Sequence, residues 1–212
     1  TIDTLAVADN DQYFASSYNG TSNLVYNTRN GGVTWDSPVT AGLQPLSSLR
    51  LSPSYSRDMT ILAGNSNSLV FLSTDSGASF QEIPGGSGSP QLAGNVFVAF
   101  DWQFERTRMV YAAGDSSATT SNRSRLYRYT VGKSLLWENL DNTLEVGGKL
   151  GQLCVLPGGS LYAANSHDNG GMERSLNPGA EMYPAFERIT SGLTNRAALY
   201  GLWSSGNPVL WW

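Results

Sequence analysis

A short apolar strand pattern that ends in alanine returns four times along this chain, and this repeat limits the possible folds more than any other feature. The four alanines follow one another at intervals of 48, 49 and 51 residues. They are Ala15, Ala63, Ala112 and Ala163. A large aromatic residue follows each alanine within the same repeat. These aromatics are Trp35, Phe80, Trp137 and Phe186. A period near fifty residues is typical of repeat folds in which each unit is one supersecondary element.

Each repeat is predicted to form four short strands joined by tight turns. The expected strands are 4–8, 12–17, 23–27 and 33–39, then 48–51, 60–64, 69–73 and 80–84, then 96–100, 109–114, 125–130 and 135–139, then 150–156, 160–164, 173–176 and 186–190. A fifth unit of two strands is expected from Leu199 to Trp212. Four-stranded antiparallel units in series predict an all-β fold, specifically a β-propeller. A parallel β-helix is the alternative, although its turns usually repeat at half this length or less.

The expected organisation is a single propeller with about four full blades and a partial fifth. The blade boundaries fall near 1–41, 42–90, 91–145, 146–192 and 193–212. Because the fifth unit is expected to stop halfway, we expect the sequence to be a portion of a longer chain. Each blade buries only part of its apolar surface by itself and needs neighbours on both sides.

The corner between the third and fourth strands carries the clearest local motif. In the second unit Ser73 ends a strand, and Asp75 is placed to fold its carboxylate back onto backbone N–H groups of the turn. Gly77 supplies the positive φ that a tight reversal needs, and Phe80 opens the return strand with a side chain to bury. The first and fourth units repeat this pattern. Their corner residues are Thr28, Asn30, Gly32 and Trp35, and Ser175, Asn177 and Gly179.

These corners resemble the Asp-box, or BNR repeat, of sialidases, sortilin-type receptors, xyloglucan-cleaving glycosidases and photosystem assembly factors. The stretch from Leu51 to Gly64 is similar to the segment that often precedes the box in bacterial extracellular propellers. The resemblance implies blade corners with a structural role and an extracellular or cell-surface location. It implies no particular activity, because the family is functionally mixed. Asn replaces Asp at positions 30 and 177, and the third corner, near Thr130, has almost lost the motif. Those corners are expected to be looser, or to be held by other contacts.

Composition excludes several classes of partner. The formal net charge is −4 and the sequence pI is about 4.9, whereas nucleic-acid binding normally needs a basic surplus. No apolar run approaches the roughly 18 to 20 residues that span a bilayer. Cys154, the single cysteine, lies in an apolar run and is expected to be a small buried hydrophobe. We predict no cofactor and no metal, and Asp9 is expected to form a turn.

The sequence offers little for catalysis. No arginine triad or Arg-Ile-Pro-like motif of a sialidase is present. Loop carboxylates could in principle form a glycosidase pair. These are Asp58, Asp101, Asp115 and Asp168. Aspartates at strand corners are far more often turn formers. His167, the only histidine, is expected to be an exposed loop residue, since adjacent Ser, His and Asp side chains diverge and cannot form a triad.

Two groups of residues are candidates for contact with a partner. Arginines in the third unit could form a positive patch, or could be ordinary solvated side chains; they include Arg123, Arg125 and Arg128. Tryptophans in the unfinished fifth unit should leave an apolar surface that meets another subunit or the remainder of the propeller. They are Trp203, Trp211 and Trp212. Trp35 and Trp137 are expected to pack in the core rather than bind sugars.

Three functional hypotheses follow. The leading one is a non-enzymatic extracellular scaffold or protein-interaction module. The second is a glycoside hydrolase or glycan-binding propeller, of the sialidase or xyloglucanase sort, with part of its site missing. The third is an assembly factor that docks a partner through the arginines of the third blade.

Overall fold

The computed structural model describes residues 1–83, 92, 94–115, 126–140, 149–166, 170–181 and 184–191, together with the strand backbone of 203–204 and 210–211. Over these ranges the chain forms four four-stranded antiparallel sheets and one two-stranded sheet. The strands of each four-stranded sheet lie in chain order. This all-β, bladed architecture confirms the predicted fold class, and the sheets are not closed into a ring. We number the four sheets 1 to 4 along the chain.

The strand bounds are as follows. Sheet 1 consists of β1 (Thr4–Val7), β2 (Tyr13–Tyr18), β3 (Asn23–Thr28) and β4 (Val39–Thr40). Sheet 2 consists of β5 (Leu46–Leu51), β6 (Ile61–Asn65), β7 (Val70–Ser73) and β8 (Gln81–Glu82). Sheet 3 consists of β9 (Val96–Phe100), β10 (Met109–Gly114), β11 (Leu126–Thr130) and β12 (Glu138–Asn139). Sheet 4 consists of β13 (Leu150–Val155), β14 (Leu161–Asn165), β15 (Gly171–Ser175) and β16 (Glu187–Ile189). The two-stranded sheet pairs β17 (Trp203–Ser204) with β18 (Leu210–Trp211).

The fourth strand of each sheet is shorter than the sequence predicts, with two or three residues instead of five to seven. In sheet 1 the predicted strand from Val33 to Val39 is largely wrong, because only Val39 lies in β4. Gly31 and Gly32 both have positive φ, and the bend they make occupies residues expected to be extended. Pro38 directly precedes β4 and has no backbone N–H to add to the ladder.

The first corner of sheet 2 joins β5 to β6. It contains a single helical turn, α1 (Tyr55–Asp58), and sheet 3 carries an equivalent turn, α2 (Phe104–Thr107). Both turns end on a residue in the left-handed conformation, Met59 and Arg108, although neither is glycine. In both turns the first residue is buried, which fixes the loop against the sheet.

Most of the apolar core of the described residues lies between consecutive sheets, and one small cluster, around Ala164 and Met172, lies within sheet 4. Three clusters of buried side chains join sheets 1 and 2, sheets 2 and 3, and sheets 3 and 4. The first strands of consecutive sheets, β1, β5, β9 and β13, lie side by side at the inner edge. A single sheet therefore buries little of its apolar surface by itself, which is the reason why these units occur in series.

The inner edges of sheets 2 and 3 are also joined by polar contacts. The buried Ser48 hydroxyl donates to the Val96 carbonyl oxygen at 2.9 Å and accepts from the Val98 N–H at 3.1 Å. Gly64 faces the same place, where an added Cβ would lie 2.3 Å from the Val96 carbonyl oxygen. β9 can therefore lie close to β5 and β6 because the residues that face it there are a small hydroxyl residue, Ser48, and a glycine, Gly64.

Candidate functional site

The corner of sheet 2 is held by a network around Asp75. Its carboxylate accepts from the Ser79 N–H at 2.9 Å, from the Ser79 hydroxyl at 2.6 Å and from the Ser73 hydroxyl at 2.7 Å. Ser73 in turn accepts from the Gly77 N–H at 2.9 Å, and Gly77 has a φ of 81°. This is the turn that the sequence predicts from Asp75 and Gly77. Partial burial raises the pKa of Asp75, but the hydrogen bonds from Ser79, Ser73 and Ala78 outweigh it and hold the pKa below its usual range.

The corner of sheet 1 has the same geometry with an amide in place of the carboxylate. The Thr34 N–H donates to Asn30 Oδ1 at 2.9 Å, and the Gly32 N–H donates to the Thr28 hydroxyl at 3.0 Å. The Asn30 amide nitrogen donates to the Thr34 hydroxyl at 2.8 Å, which reverses the donor direction seen at Asp75. The corner at Asn30 is therefore held by the same set of contacts as the corner at Asp75.

The corners of sheets 4 and 3 depart further from the pattern. In sheet 4, Ser175 and Ala185 both donate to Asn177 Oδ1 at 3.3 Å, so the network is longer, as expected. In sheet 3 the Thr130 N–H donates to the Ser134 hydroxyl at 3.0 Å, and no carboxylate or amide side chain takes part in the described bonds of that corner. Among the described hydrogen bonds, those of the corners of sheets 1 and 2 share one complete scheme.

The repeated aromatics have two different environments. In sheets 2 to 4 the aromatic directly precedes the fourth strand and packs in a cluster shared with the preceding sheet; these residues are Phe80, Trp137 and Phe186. Trp137 also donates its indole N–H to the Ile83 carbonyl oxygen at 3.0 Å. Trp35 is 42% exposed, so its predicted place in the core is wrong. Trp35 belongs to none of the clusters of buried side chains formed by the described residues.

The loop carboxylates considered for hydrolysis are engaged in local hydrogen bonds. Asp58 accepts from the Ser52 hydroxyl at 2.5 Å and from the Thr60 N–H at 3.0 Å. Asp115 accepts from the N–H and the side-chain amide of Asn95, both at 2.8 Å. Asp168 and His167 lie outside the described residues.

Asp101 is the most buried of the three described carboxylates, the others being Asp58 and Asp115. It accepts from the Gln103 N–H at 2.9 Å, the Thr107 hydroxyl at 3.0 Å and the Tyr111 hydroxyl at 3.3 Å. Burial, and then the Asp101 charge, raise the pKa of Tyr111 well above its usual value, so that the phenol stays a hydrogen-bond donor. The buried pair Asp101 and Tyr111 thus anchors the loop that contains α2.

Arg128 links sheet 3 to the corner of sheet 4. Its guanidinium donates to the carbonyl oxygens of Pro178 and Ala180, both at 2.8 Å, and forms an ion pair with Glu138 at 2.6 Å. Only 6% of its side-chain surface is exposed. For this residue the predictions of a positive patch and of an ordinary solvated side chain are both wrong, because a buried and fully engaged guanidinium cannot meet a partner. Arg123 and Arg125 lie outside the described residues.

A polar group that sequence reasoning missed lies at the inner edge. Arg50 of β5 donates to Gln152 Oε1 of β13 at 2.9 Å and so connects sheet 2 to sheet 4. Burial lowers the pKa of Arg50, and the neighbouring Cys154 partly offsets this. Burial likewise raises the pKa of the Cys154 thiol, so the thiol is not activated. The sequence did contain a signal for this contact, because Arg50 is a single charged residue within the apolar pattern of an inner strand.

The outer face of sheet 1, opposite sheet 2, exposes apolar side chains. Leu5 and Val7 of β1 are 55% and 59% exposed, and Tyr13, Leu24 and Tyr26 are half-buried on the same face. We call this surface, defined by these five residues, the open face. Large neighbouring apolar side chains on a surface mark an interaction site more often than isolated ones do.

The remaining predicted positions carry little further chemistry. The N–H groups of Asp11 and Gln12 both donate to Asp9 Oδ1 at 2.8 Å, which is the predicted turn and lowers the pKa of Asp9. No group of three or more potential metal ligands occurs within the part of the chain that is described. Only the strand backbone of Trp203 and Trp211 is described, and Trp212 lies outside the described residues. No helix in the described ranges has the length and apolar character needed to cross a bilayer.

The fold and the corners together define a chain of propeller blades, and comparison with solved structures supports this class. The GH74 enzyme of Niastella koreensis aligns with a TM-score of 0.67 and 14% identity, over 92% of this chain and 30% of that chain. The GH74 xyloglucanase of Xanthomonas campestris aligns with a TM-score of 0.66 and 16% identity, over 89% and 30%. The extracellular domain of a one-component system from B. thetaiotaomicron aligns with a TM-score of 0.60 and 12% identity, over 99% and 31%.

This chain thus spans about a third of the length of those three structures. At such low identity the likeness shows the fold alone. No protein-family model matches the sequence. No curated protein matches it either.

Proposed function

We propose that this chain is a non-enzymatic, extracellular or cell-surface propeller unit that acts as a scaffold or protein-interaction module. The single observation that carries the proposal is that the described loop carboxylates form local hydrogen bonds. Asp58, Asp101 and Asp115 each accept hydrogen bonds from their own loop or from a neighbouring strand end. Carboxylates tied into turns in this way serve the loop backbone and are poorly placed to protonate or attack a glycosidic bond.

The corner networks fit a structural role as well. We infer that the corners of sheets 1, 2 and 4 are members of a degenerate Asp-box series whose side chains hold the turn. Their polar atoms are bonded within the corner, as at Asp75 and Asn30. The extracellular location is part of the proposal, supported by the likeness to an extracellular domain. The partners would be other protein subunits or further blades, and possible glycan contacts belong to the alternative below.

The alternative is a glycoside hydrolase or a glycan-binding propeller. It is supported by the similarity of the fold to that of GH74 enzymes. The test measures reducing-sugar release from xyloglucan and fluorescence release from an aryl sialoside by the purified chain. We expect no release above the rate of a variant that combines Asp58→Asn and Asp101→Asn. Hydrolysis that this variant loses, and that an Asp36→Asn control with a substituted surface carboxylate retains, would contradict the scaffold proposal. Calorimetric titration with xyloglucan oligosaccharides separates the glycan-binding alternative, and we expect no heat of binding.

A further inference from the structure

Three Asn-Gly pairs occur in the sequence, and the fold gives two of them different surroundings. In such a pair the backbone nitrogen of the glycine follows the asparagine directly, so it is held within reach of the side-chain carbon Cγ. Glycine has no side chain to hinder that approach. The pairs begin at Asn19, Asn30 and Asn169. Asn169 lies outside the described residues, so the comparison concerns the first two.

Asn19 begins the exposed turn between β2 and β3, and its side-chain oxygen is hydrogen-bonded. The N–H groups of Thr21 and Ser22 both donate to Asn19 Oδ1 at 2.9 Å. Paired donors of this kind stabilise the negative charge that collects on a carbonyl oxygen when a nucleophile adds to its carbon. The turn thus makes Asn19 Cγ more electrophilic.

The nucleophile and the leaving group of this pair are not engaged elsewhere. The nucleophile would be the Gly20 nitrogen after loss of its proton, and the leaving group would be Asn19 Nδ2, which departs as ammonia. Neither group takes part in a hydrogen bond among the described residues. No described atom lies within 4 Å of the position that a Cβ on Gly20 would occupy. Water and base therefore reach the Gly20 nitrogen without hindrance.

The Asn30 pair is also exposed, but its reacting groups are hydrogen-bonded. The Gly31 N–H donates to the Asp11 carbonyl oxygen at 2.8 Å, and Asn30 Nδ2 donates to the Thr34 hydroxyl at 2.8 Å. A hydrogen bond from the protonated nitrogen opposes loss of that proton, because the anion would face the acceptor oxygen. Asn30 Oδ1 is hydrogen-bonded as well, so the two pairs differ at the nucleophile and the leaving group rather than at the carbonyl.

We propose that Asn19 is a self-modification site of this chain, which converts to aspartate and isoaspartate with water as the only co-reactant, while the corner amide of Asn30 is preserved. Hydroxide takes the proton of the Gly20 N–H, and the nitrogen forms a bond to Asn19 Cγ. The bond from Cγ to Nδ2 breaks, and ammonia leaves after it gains a proton from water. Water then opens the succinimide ring: addition at Cγ gives aspartate, and addition at the main-chain carbonyl carbon gives isoaspartate. Nothing is oxidised or reduced.

The inference goes beyond the proposed scaffold function and does not depend on it. The products add a negative charge to the turn. An aspartate at position 19 could still accept from the N–H groups of Thr21 and Ser22, and hydrogen bonds to a charged acceptor are the stronger kind, so sheet 1 should stay folded. The isoaspartyl product instead lengthens the main chain by one carbon between β2 and β3.

Peptide mapping of the folded chain during incubation at mildly alkaline pH tests the inference. Trypsin cleaves after Arg29, so Asn19 and Asn30 lie in different peptides. We expect aspartate and isoaspartate to form in the Asn19 peptide roughly tenfold faster, or more, than in the Asn30 peptide. Asn19→Gln is the matched control, because it keeps an amide at this position and should abolish the products in the first peptide.

The same measurement in urea separates the effect of the fold from that of the sequence. Unfolding breaks the hydrogen bond of the Gly31 N–H, so the rates at Asn19 and Asn30 should become similar. Equal rates in the folded chain, or a faster reaction at Asn30, overturn the inference. A difference that persists in urea also overturns it, because neighbouring residues would then set the rates. Aspartate without isoaspartate at position 19 contradicts the ring-forming step.

Discussion

At the scale of single residues, one corner design works with either a carboxylate or an amide. Asp75 and Asn30 both accept the N–H four residues ahead at 2.9 Å. The partner hydroxyl changes its role, since Ser79 donates to Asp75 whereas Thr34 accepts from Asn30. A hydroxyl can donate or accept, so the turn survives the exchange of Asp and Asn. What the exchange does change is the response to pH.

The Asp75 corner should lose stability in acid. Because its folded-state pKa lies below the unfolded value, its stabilising contribution is present above the unfolded pKa and is lost as the pH falls through the folded pKa. We therefore expect the wild-type chain to have a higher free energy of unfolding in urea than Asp75→Asn at neutral pH. The difference between the two free energies should become smaller at acidic pH. The effect should be modest, because this side chain is largely solvated.

The converse substitution is the matched control for that measurement. Asn30→Asp should make the sheet 1 corner titrate in the same direction, with the Thr34 hydroxyl turning to donate. A gap between wild type and Asp75→Asn that stays constant across the pH range would show that the carboxylate charge contributes nothing to the corner.

Residue identity alone predicts local turns better than it predicts long-range partners. Asp75 and Gly77 could be placed because a turn needs only its own neighbours. Arg128 could not, since its carbonyl acceptors lie some fifty residues away in the next sheet. Arg50 was missed for the same reason, because Gln152 is 102 positions away in sequence. Arg50 was recognisable as a charged residue in an inner strand, but the sequence alone could not identify Gln152 as its partner.

At the scale of elements, the first three strands of each sheet could be predicted to within about two residues and the fourth could not. Inner strands such as β5 and β9 are fixed by alternating or continuous apolar runs. The fourth strands are short and largely exposed, so they carry little apolar pattern. The helical turns α1 and α2 were also missed, although Tyr55 and Phe104 stand 49 residues apart and thus obey the repeat.

The aromatic position of the repeat should matter only where a preceding sheet covers it. Trp137→Phe removes the indole N–H that bonds the Ile83 carbonyl oxygen and should cost about 1–3 kcal/mol in the free energy of unfolding. Trp35→Phe, at the equivalent but exposed position, should change it by no more than about 0.5 kcal/mol. Urea denaturation followed by circular dichroism measures both. Equal losses at Trp35 and Trp137 would mean that the two rings have the same environment, against the account given above.

At the scale of the whole molecule, stability resides in the contacts between sheets. Ser48, Trp137 and Arg128 each bond a neighbouring sheet, and the three apolar clusters span consecutive sheets. The repeat period predicted this arrangement, because identical units without their own core must stack. It could not predict that sheet 1 keeps an uncovered face, since Leu5 and Leu49 look alike in sequence and differ only in what lies against them.

Leu5, Leu49 and Leu153 each pair with the repeated alanine of the second strand of their sheet. One substitution made at these three equivalent positions tests this account most directly. The free energy of unfolding should fall by about 2–4 kcal/mol in Leu49→Ala and in Leu153→Ala, because each leaves a cavity between two sheets. It should fall by about 0.5 kcal/mol or less in Leu5→Ala, measured in urea under the same conditions. A loss at Leu5 as large as the losses at Leu49 and Leu153, or no loss at all three, would contradict the claim that these leucines share one sheet-packing position that sheet 1 leaves open.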